Sequence, residues 1–262
     1  MSVSAIDAHI QHAVVIGRGQ VGTALANALQ TGGIRYTWMP GRTSISDDFA
    51  SLEGVDLWLI AVADDAIEGT AQLLPSAGLR VHFSGATPSS VLGPGSGLVT
   101  WPMASLRQEE SAGRFEFPWL FGLNATTSQS GLPDAGRAWL EFLRARGAAL
   151  FPADDLQRGR AHIASVFAAN YTCTVLRLAH SLHVETGVPW EAWRPMVSMS
   201  VERMWLPSGV ERGTGPAARN DRHLLKLQHE LLSGHPGQEA YAVLGDLALQ
   251  QNGFPALFAK KS

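Results

Sequence analysis

Two regimes of hydrophobic patterning divide the chain. Before Pro152, short apolar runs alternate with segments of helical spacing, the sign of βαβ units and a parallel sheet. Ala13–Ile16, Ile34–Met39, Asp56–Val62, Arg80–Phe83, Leu98–Trp101, Pro118–Leu123 and Ala148–Phe151 read as strands. Asp56–Val62 is apolar almost throughout, as expected of a strand covered on both faces. An Ala/Leu-rich helical stretch follows the first run and stops at Gly32-Gly33. A short helix is predicted over Ala66–Leu74, closed by Pro75, and Leu132–Arg146 has helical spacing through Ala135, Leu140 and Leu143. From Leu156 the reading is helix after helix. Arg158–Thr186 is one long helix or two closely joined, Trp190–Met204 follows Pro189, and Arg219–Ser233 and Gly237–Gln250 complete the series. The fold class is therefore α/β, with a parallel-sheet domain over residues 1–154 and an all-helical domain over residues 155–262.

The junction between the first strand and the first helix carries the sharpest chemistry. Gly17-Arg18-Gly19-Gln20-Val21-Gly22 has the spacing G-x-G-x-x-G, the dinucleotide-binding fingerprint of Rossmann-type sheets when it stands between a strand and a helix. Gly17 allows the tight turn, Gly19 leaves room for a pyrophosphate, and Gly22 lets helix and strand pack closely. The helix N-terminus then offers free N–H groups and a positive dipole end to the phosphates. NAD-preferring sites place an acid at the end of the second strand. Here the chain reads Met39-Pro40-Gly41-Arg42-Thr43-Ser44, with no acid before Asp47. Arg42 flanked by hydroxyls suits a 2′-phosphate, so NADP is expected over NAD; the alternative is a solvated loop arginine.

Composition narrows the classes. The 262 residues are 45% hydrophobic with a formal charge of −3, and no basic stripe is present, which argues against nucleic acid. No apolar run reaches the roughly 20 residues of a membrane span, and Met1–Gln11 lacks the pattern of a secretion signal. Cys173 is the single cysteine, so neither a disulfide framework nor a cysteine metal cluster is expected; these features favour the cytoplasm. Three lysines against seventeen arginines leave few candidates for lysine chemistry. His180 and His183, three apart, lack a third ligand, and no metal is expected.

Further stretches carry a family resemblance: Val62-Ala63-Asp64-Asp65-Ala66-Ile67, His82-Phe83-Ser84-Gly85-Ala86, the helical His162 to Asn170, and Thr214 to Asp221. In this order they resemble Rossmann-like proteins with a DUF2520 C-terminal domain, in the 6-phosphogluconate dehydrogenase-like group, akin to F420-dependent NADP oxidoreductases and pyrroline-5-carboxylate reductases. The resemblance spans roughly residues 12–250. It implies an N-terminal NAD(P)-binding domain, a helical C-terminal domain and a homodimer, and no particular substrate. Trp101-Pro102 stands where relatives tend to have His-Pro, and Asn220 where the pattern usually has Gly. Related β-hydroxyacid dehydrogenases have a lysine near the start of the first C-terminal helix; this chain has Arg158, Arg160 and His162 there.

Strand ends in such sheets face the ligand. Gly17, Arg18, Gly19, Gln20, Val21, Gly22, Arg42, Thr43, Val62, Ala63 and Asp64 are the expected cofactor residues. Asp64 and Asp65 have a second reading, as caps of the helix that follows. His82, Ser84, His162 and Asn170 are the expected catalytic group, with structural readings for both histidines left open. On a regular helix His162 and Asn170 project within about 80° of each other at roughly 100° per residue. Hydride addition to a carbonyl needs a proton donor, and histidine suits that task near neutral pH. The expected function is an oxidoreductase passing hydride between NADP (or NAD) and a small carbonyl, imine or hydroxy compound. The alternative is a dinucleotide-binding sensor or assembly protein without catalysis.

Overall fold

A computed structural model describes residues 10–41, 49, 51–106, 113–206 and 214–259. The chain divides into two compact units, Met1–Asn170 and Tyr171–Ser262. In the first, strands β1 (Ala13–Ile16), β2 (Tyr36–Met39), β3 (Leu57–Ile60), β4 (Leu79–His82), β5 (Gly97–Pro102), β6 (Pro118–Leu123) and β7 (Ala149–Pro152) form one sheet. Its order is β2-β1-β3-β4-β5-β6-β7. All described neighbours run parallel except β5 and β6, where Trp101 pairs with Leu120 in antiparallel register.

Both faces of this sheet are covered, which explains the unbroken apolar run at Leu57–Ile60. Val15, Leu57, Leu59 and Val81 face one layer, made by helix α1 (Gln20–Thr31) and by Trp139, Phe142 and Leu143 of α4 (Asp134–Ala145). Their neighbours in sequence, Val14, Ile16, Trp58 and Ile60, face the other layer with Phe49 and with Ile67 and Ala71 of α2 (Ile67–Leu73). Side chains alternate across a strand, so a two-sided core needs apolar residues at every position. Each large aliphatic side chain buried this way contributes about 1.5–3 kcal/mol.

The structure shortens some predicted elements and adds others. β2 begins at Tyr36 rather than Ile34, and β3 runs only over Leu57–Ile60, leaving Ala61 and Val62 beyond its carboxyl end. The helix expected from Ala66 is preceded by a 3₁₀ turn at Asp64–Ala66. Helix α3 (Ala125–Ser130) was not signalled, because its polar sequence has no apolar stripe; Asn124 starts it by accepting from the Thr127 N–H at 2.9 Å. Helix α5 (Asp155–Ser165) starts three residues before Arg158. Asp154 caps it and Gln157 bonds back to the Asp154 N–H, a complete capping box. The long helical stretch beyond changes to π geometry at Val166–Tyr171.

The second unit holds α6 (Thr172–His183), α7 (Arg194–Met204), α8 (Arg222–Leu231) and α9 (Gln238–Gln251). The helix expected over Trp190–Met204 begins as a 3₁₀ turn over Trp190–Trp193, and α7 starts only at Arg194. Asp221 caps α8 by accepting from the Leu224 N–H at 3.1 Å. A small cluster of Ala217, Leu225 and Leu249 is completed by Tyr241, Phe254 and Phe258. The segment after α9 is tied back to it. Asp246 accepts N–H groups of Leu257, Phe258 and Ala259, and Arg222 donates to the Pro255 and Ala256 carbonyls. Desolvation alone would raise the Asp246 pKa; the N–H groups of Phe258, Leu257 and Ala259, with Arg222, outweigh it and hold the carboxyl below its ordinary value.

A carboxylate with a lowered folded pKa stabilises the fold above the unfolded pKa and loses that contribution as pH falls through the folded value. Asp246→Asn should therefore lower stability by about 1 kcal/mol at neutral pH, at the low end for bonds to a charged group because solvent screens this site. The difference from wild type should shrink progressively as pH falls below about 4, as the Asp246 carboxylate takes up a proton. Urea melts at two pH values check this; an unchanged midpoint at pH 7 would show that the carboxylate does not anchor the segment.

Candidate active site

Gly17 leaves β1 with φ +114°, a conformation L side chains rarely adopt. A Cβ there would collide with the Ala61 carbonyl after β3, and a Cβ on Gly22 would collide with the Gly17 carbonyl. Gly19 is the opposite case: an added Cβ would meet nothing within 4 Å. Gly19 is also the N-cap of α1 and supplies no side-chain cap, so the first N–H groups of that helix point at open space. The fingerprint thus has two glycines for close approach and one for vacancy in front of a helix N-terminus. The residues present fit a dinucleotide pyrophosphate.

Two adjoining depressions cross the carboxyl ends of β1, β2 and β3. One, of about 300 Å³, is lined by Gly19, Gln20, Val21, Asp64, Phe83 and Ser84 among others. The second, of about 470 Å³, includes Gly17, Arg18, Pro40, Gly41 and Asp65. They share Gly19, Ala61, Val62 and Ala63. The Arg18 guanidinium lies 5.6 Å from the centre of the Trp38 ring, and the Trp38 indole N–H donates to the Gly17 carbonyl at 2.8 Å. Expected cofactor residues Arg42 and Thr43 lie outside the described residues.

At the other end of the trough stands the segment after β4. Ser84 Oγ donates to Asp64 Oδ2 at 2.8 Å and accepts the Ala86 and Thr87 N–H groups at 3.1 and 2.9 Å. Its one donor and two lone pairs are all engaged. Asp64 makes no side-chain cap to the turn that follows, so the capping reading is corrected: its carboxylate is bonded to Ser84, twenty residues away in sequence. His82 is wholly buried. Its Nδ1 accepts the Ser84 N–H at 3.2 Å, and Nε2 has no partner of normal hydrogen-bond geometry. Burial first, and then the positive charge of Arg158, push its pKa down to about 4, against weaker opposing effects of the Pro88 backbone and Asp155. At neutral pH this imidazole is uncharged and out of reach of solvent.

Helix α5 brings His162 to the same segment. A Cβ on Gly85 would lie 2.7 Å from His162 Cδ2 and 2.8 Å from Trp101 Cε2, so the backbone there threads between the two rings. His162 meets Trp101 edge-on with centroids 5.4 Å apart. The imidazole is half-buried, unlike that of His82. Asn170 is exposed in the π-helical segment, where the wider turn changes the angular step, so the spacing inferred from a regular helix does not carry over. The sequence reading gave no role to Arg158, whose side chain is wholly buried and bonded to the Thr87 carbonyl and to Asp155, each at 2.7 Å. The signal available for it was the pair Asp155 and Arg158 at i,i+3 in the first turns of a capped helix. Among the described residues no group of three or more potential metal ligands is assembled, and no helix is long and apolar enough to cross a membrane.

Residues 130–248 match the family described as "Domain of unknown function (DUF2520)". No curated protein matches the chain. Among solved structures, a Bacteroides fragilis protein named "putative NADP oxidoreductase" is 22% identical, covering 94% of this chain and 100% of its own, with a TM-score of 0.75. A Thermotoga maritima protein is 14% identical over 92% and 98% of the two chains, TM-score 0.64. Plasmodium falciparum pyrroline carboxylate reductase with NADP bound is 13% identical over 92% and 99%, TM-score 0.53. These likenesses establish the fold: a mostly parallel Rossmann-type sheet followed by helices.

The depressed pKa of His82 fixes a pH dependence. A histidine whose folded pKa lies below its unfolded value stabilises the fold above about pH 6.5 and loses that contribution as pH falls to about 4. His82→Asn keeps an acceptor for the Ser84 N–H but cannot titrate. Stability of the wild type should fall more steeply than that of the variant between pH 6.5 and 4. Parallel curves in chemical melts would refute the buried neutral state.

Proposed function

We propose that this DUF2520-domain protein, built on a Rossmann-type sheet, is an oxidoreductase passing hydride between NADP, in preference to NAD, and a small carbonyl, imine or hydroxy compound. The observation that carries the reading is the glycine cradle. Gly17 and Gly22 are locked by neighbouring backbone, and Gly19 leaves an open gap before an uncapped helix. In this reading Gly17 to Gly22 hold the pyrophosphate, Arg42 and Thr43 the 2′-phosphate, and Val62, Ala63 and Asp64 the nicotinamide side. The dinucleotide, when bound, supplies the hydride.

The protein's own groups orient the substrate and move a proton. His162, half-buried beside Gly85, is the proposed proton donor to the substrate heteroatom. Asn170 is kept as its proposed partner in orienting substrate. Ser84 holds Asp64 at the cavity rim, a role supported by its fully engaged hydroxyl. His82, neutral and enclosed, is reassigned from proton donor to support of the Ser84 backbone. Residues 1–154 are assigned to the cofactor and residues 155–262 to the proton donor and to dimerisation.

A homodimer is proposed from the surface of the second unit. Its described residues leave Met196, Met199, Met204, Val243 and Leu247 exposed while burying few apolar side chains. Exposed apolar area on that scale marks an association surface. Sedimentation at the monomer mass of 28.1 kDa would rule the dimer out. The cytosol is the proposed compartment, supported by the single cysteine.

Gly19→Asp places a carboxylate in the open gap without touching the core. NADP affinity should fall at least about tenfold, or roughly 1.4 kcal/mol, with the melting temperature unchanged. Calorimetry showing equal affinity in the folded variant would defeat the cofactor site. Arg42→Ala should weaken NADP more than NAD, since the guanidinium meets a group only NADP has; equal losses would show that Arg42 does not select. A screen of NADPH oxidation against small carbonyls and imines tests catalysis itself. Tight NADP binding without turnover on any of them would favour the sensor reading.

A further inference from the structure

Helix α5 grips the segment after β4 at three points along one face. Asp155, Arg158 and His162 stand at i, i+3 and i+7, the spacing of a single helical stripe. The Asp155 carboxylate accepts the Ser89 N–H at 3.1 and 3.0 Å and the Ser89 hydroxyl at 3.0 Å. Arg158 Nη2 donates to the Thr87 carbonyl and to Asp155 Oδ1. His162 closes the row against Gly85 and Trp101. The same short segment begins with Ser84, bonded to Asp64 at the rim of the trough.

Arg158 is an expensive way to hold a loop. Its side chain is fully buried, yet Nε and Nη1 have no hydrogen-bond partner. Buried donors left unpaired destabilise a fold, and apolar replacements of buried ion pairs are often neutral or stabilising. Stability therefore does not account for an arginine at this position. What Arg158 does that an apolar side chain cannot is link two fixed points, the Thr87 carbonyl and the Asp155 carboxylate, through one nitrogen carried at the end of a long, planar side chain. Gly85 leaves no slack between loop and helix, so displacing the loop displaces the His162 ring.

We propose that Arg158 and Asp155 are positioning residues that set the His162 imidazole against the segment bearing Ser84 and Asp64. The inference rests on the reading of His162 as the proton donor, and the structural coupling it asserts can be measured without any substrate. In Arg158→Lys the ammonium keeps the charge on a shorter side chain, which falls short of the point where Nη2 meets both acceptors. In Ser89→Ala the buried charge is undisturbed and one bond to Asp155 is lost.

The test is the ring-proton spectrum of His162, assigned with His162→Gln, in wild type and both variants. The indole of Trp101 displaces these resonances through its ring current. Arg158→Lys should lose much of that displacement and Ser89→Ala a smaller part. NADP affinity by calorimetry should stay within about threefold of wild type, since the cofactor cradle lies on other elements. A lowered melting temperature with an unchanged His162 spectrum would overturn the proposal and leave Arg158 a structural residue. Should Arg158→Lys not fold, an unchanged spectrum in Ser89→Ala would overturn it alone. Absence of NADP binding to the wild type would instead defeat the oxidoreductase reading, and the ring comparison would stand unaffected.

Discussion

Four elements meet at one residue that has no side chain. The Gly17 N–H donates to the Met39 carbonyl of β2 at 2.9 Å, and its carbonyl accepts the Trp38 indole of the same strand. Its Cα faces the Ala61 carbonyl beyond β3, and its carbonyl lies under Gly22 of α1. The left-handed turn lets β1 end in register with β2 and β3 while α1 starts directly above them. An alanine here would meet both a disfavoured φ and a carbonyl oxygen, forcing β1 and β3 apart. The trough, the helix N-terminus that faces it and the level of Asp64 at its rim all follow from that contact.

The fold was readable wherever burial imposed a pattern. Leu57–Ile60 could only be a strand enclosed on both faces, and the Ala/Leu spacing of α1 could only be a helix lying on a sheet. Elements without a core face were silent. Helix α3 is written in threonine, serine and glutamine, and depends on the Asn124 cap. The 3₁₀ turn at Ser89–Leu92 is likewise invisible to periodicity, although Arg80 fixes its end through the Leu92 carbonyl at 2.8 Å. The π segment after α5 carries no compositional mark either, so the sequence left open one long helix or two closely joined there.

The site was legible in its backbone half and opaque in its side-chain half. Glycine spacing reports a backbone constraint, and such constraints are local. Partners chosen across the fold leave no local trace: Asp64, expected among the cofactor residues, had a second reading as a cap because it precedes a helix, whereas the structure pairs it with Ser84. The two histidines show the same limit from another side. Neither sequence neighbourhood shows how deep its side chain lies, yet one is sealed beneath the sheet's end and the other rests half-buried against a loop. Only the depth of each side chain, a property of packing, separates the enclosed imidazole of His82 from the half-buried one of His162.

Chain growth runs in the same direction as sheet growth. After β1 and β2 pair, β3 joins the free edge of β1, and β4 to β7 each join the strand made just before. No strand must be threaded between two already paired, so each new segment finds its template waiting as synthesis proceeds. All seven strands exist once Pro152 has emerged. Helix α5 comes next, bringing Asp155, Arg158 and His162 to a loop already in place. A nascent chain halted near Pro152 would thus own the glycine turn and the trough and lack Asp155, Arg158 and His162, so the segment after β4 is gripped only after the sheet that bears it is built.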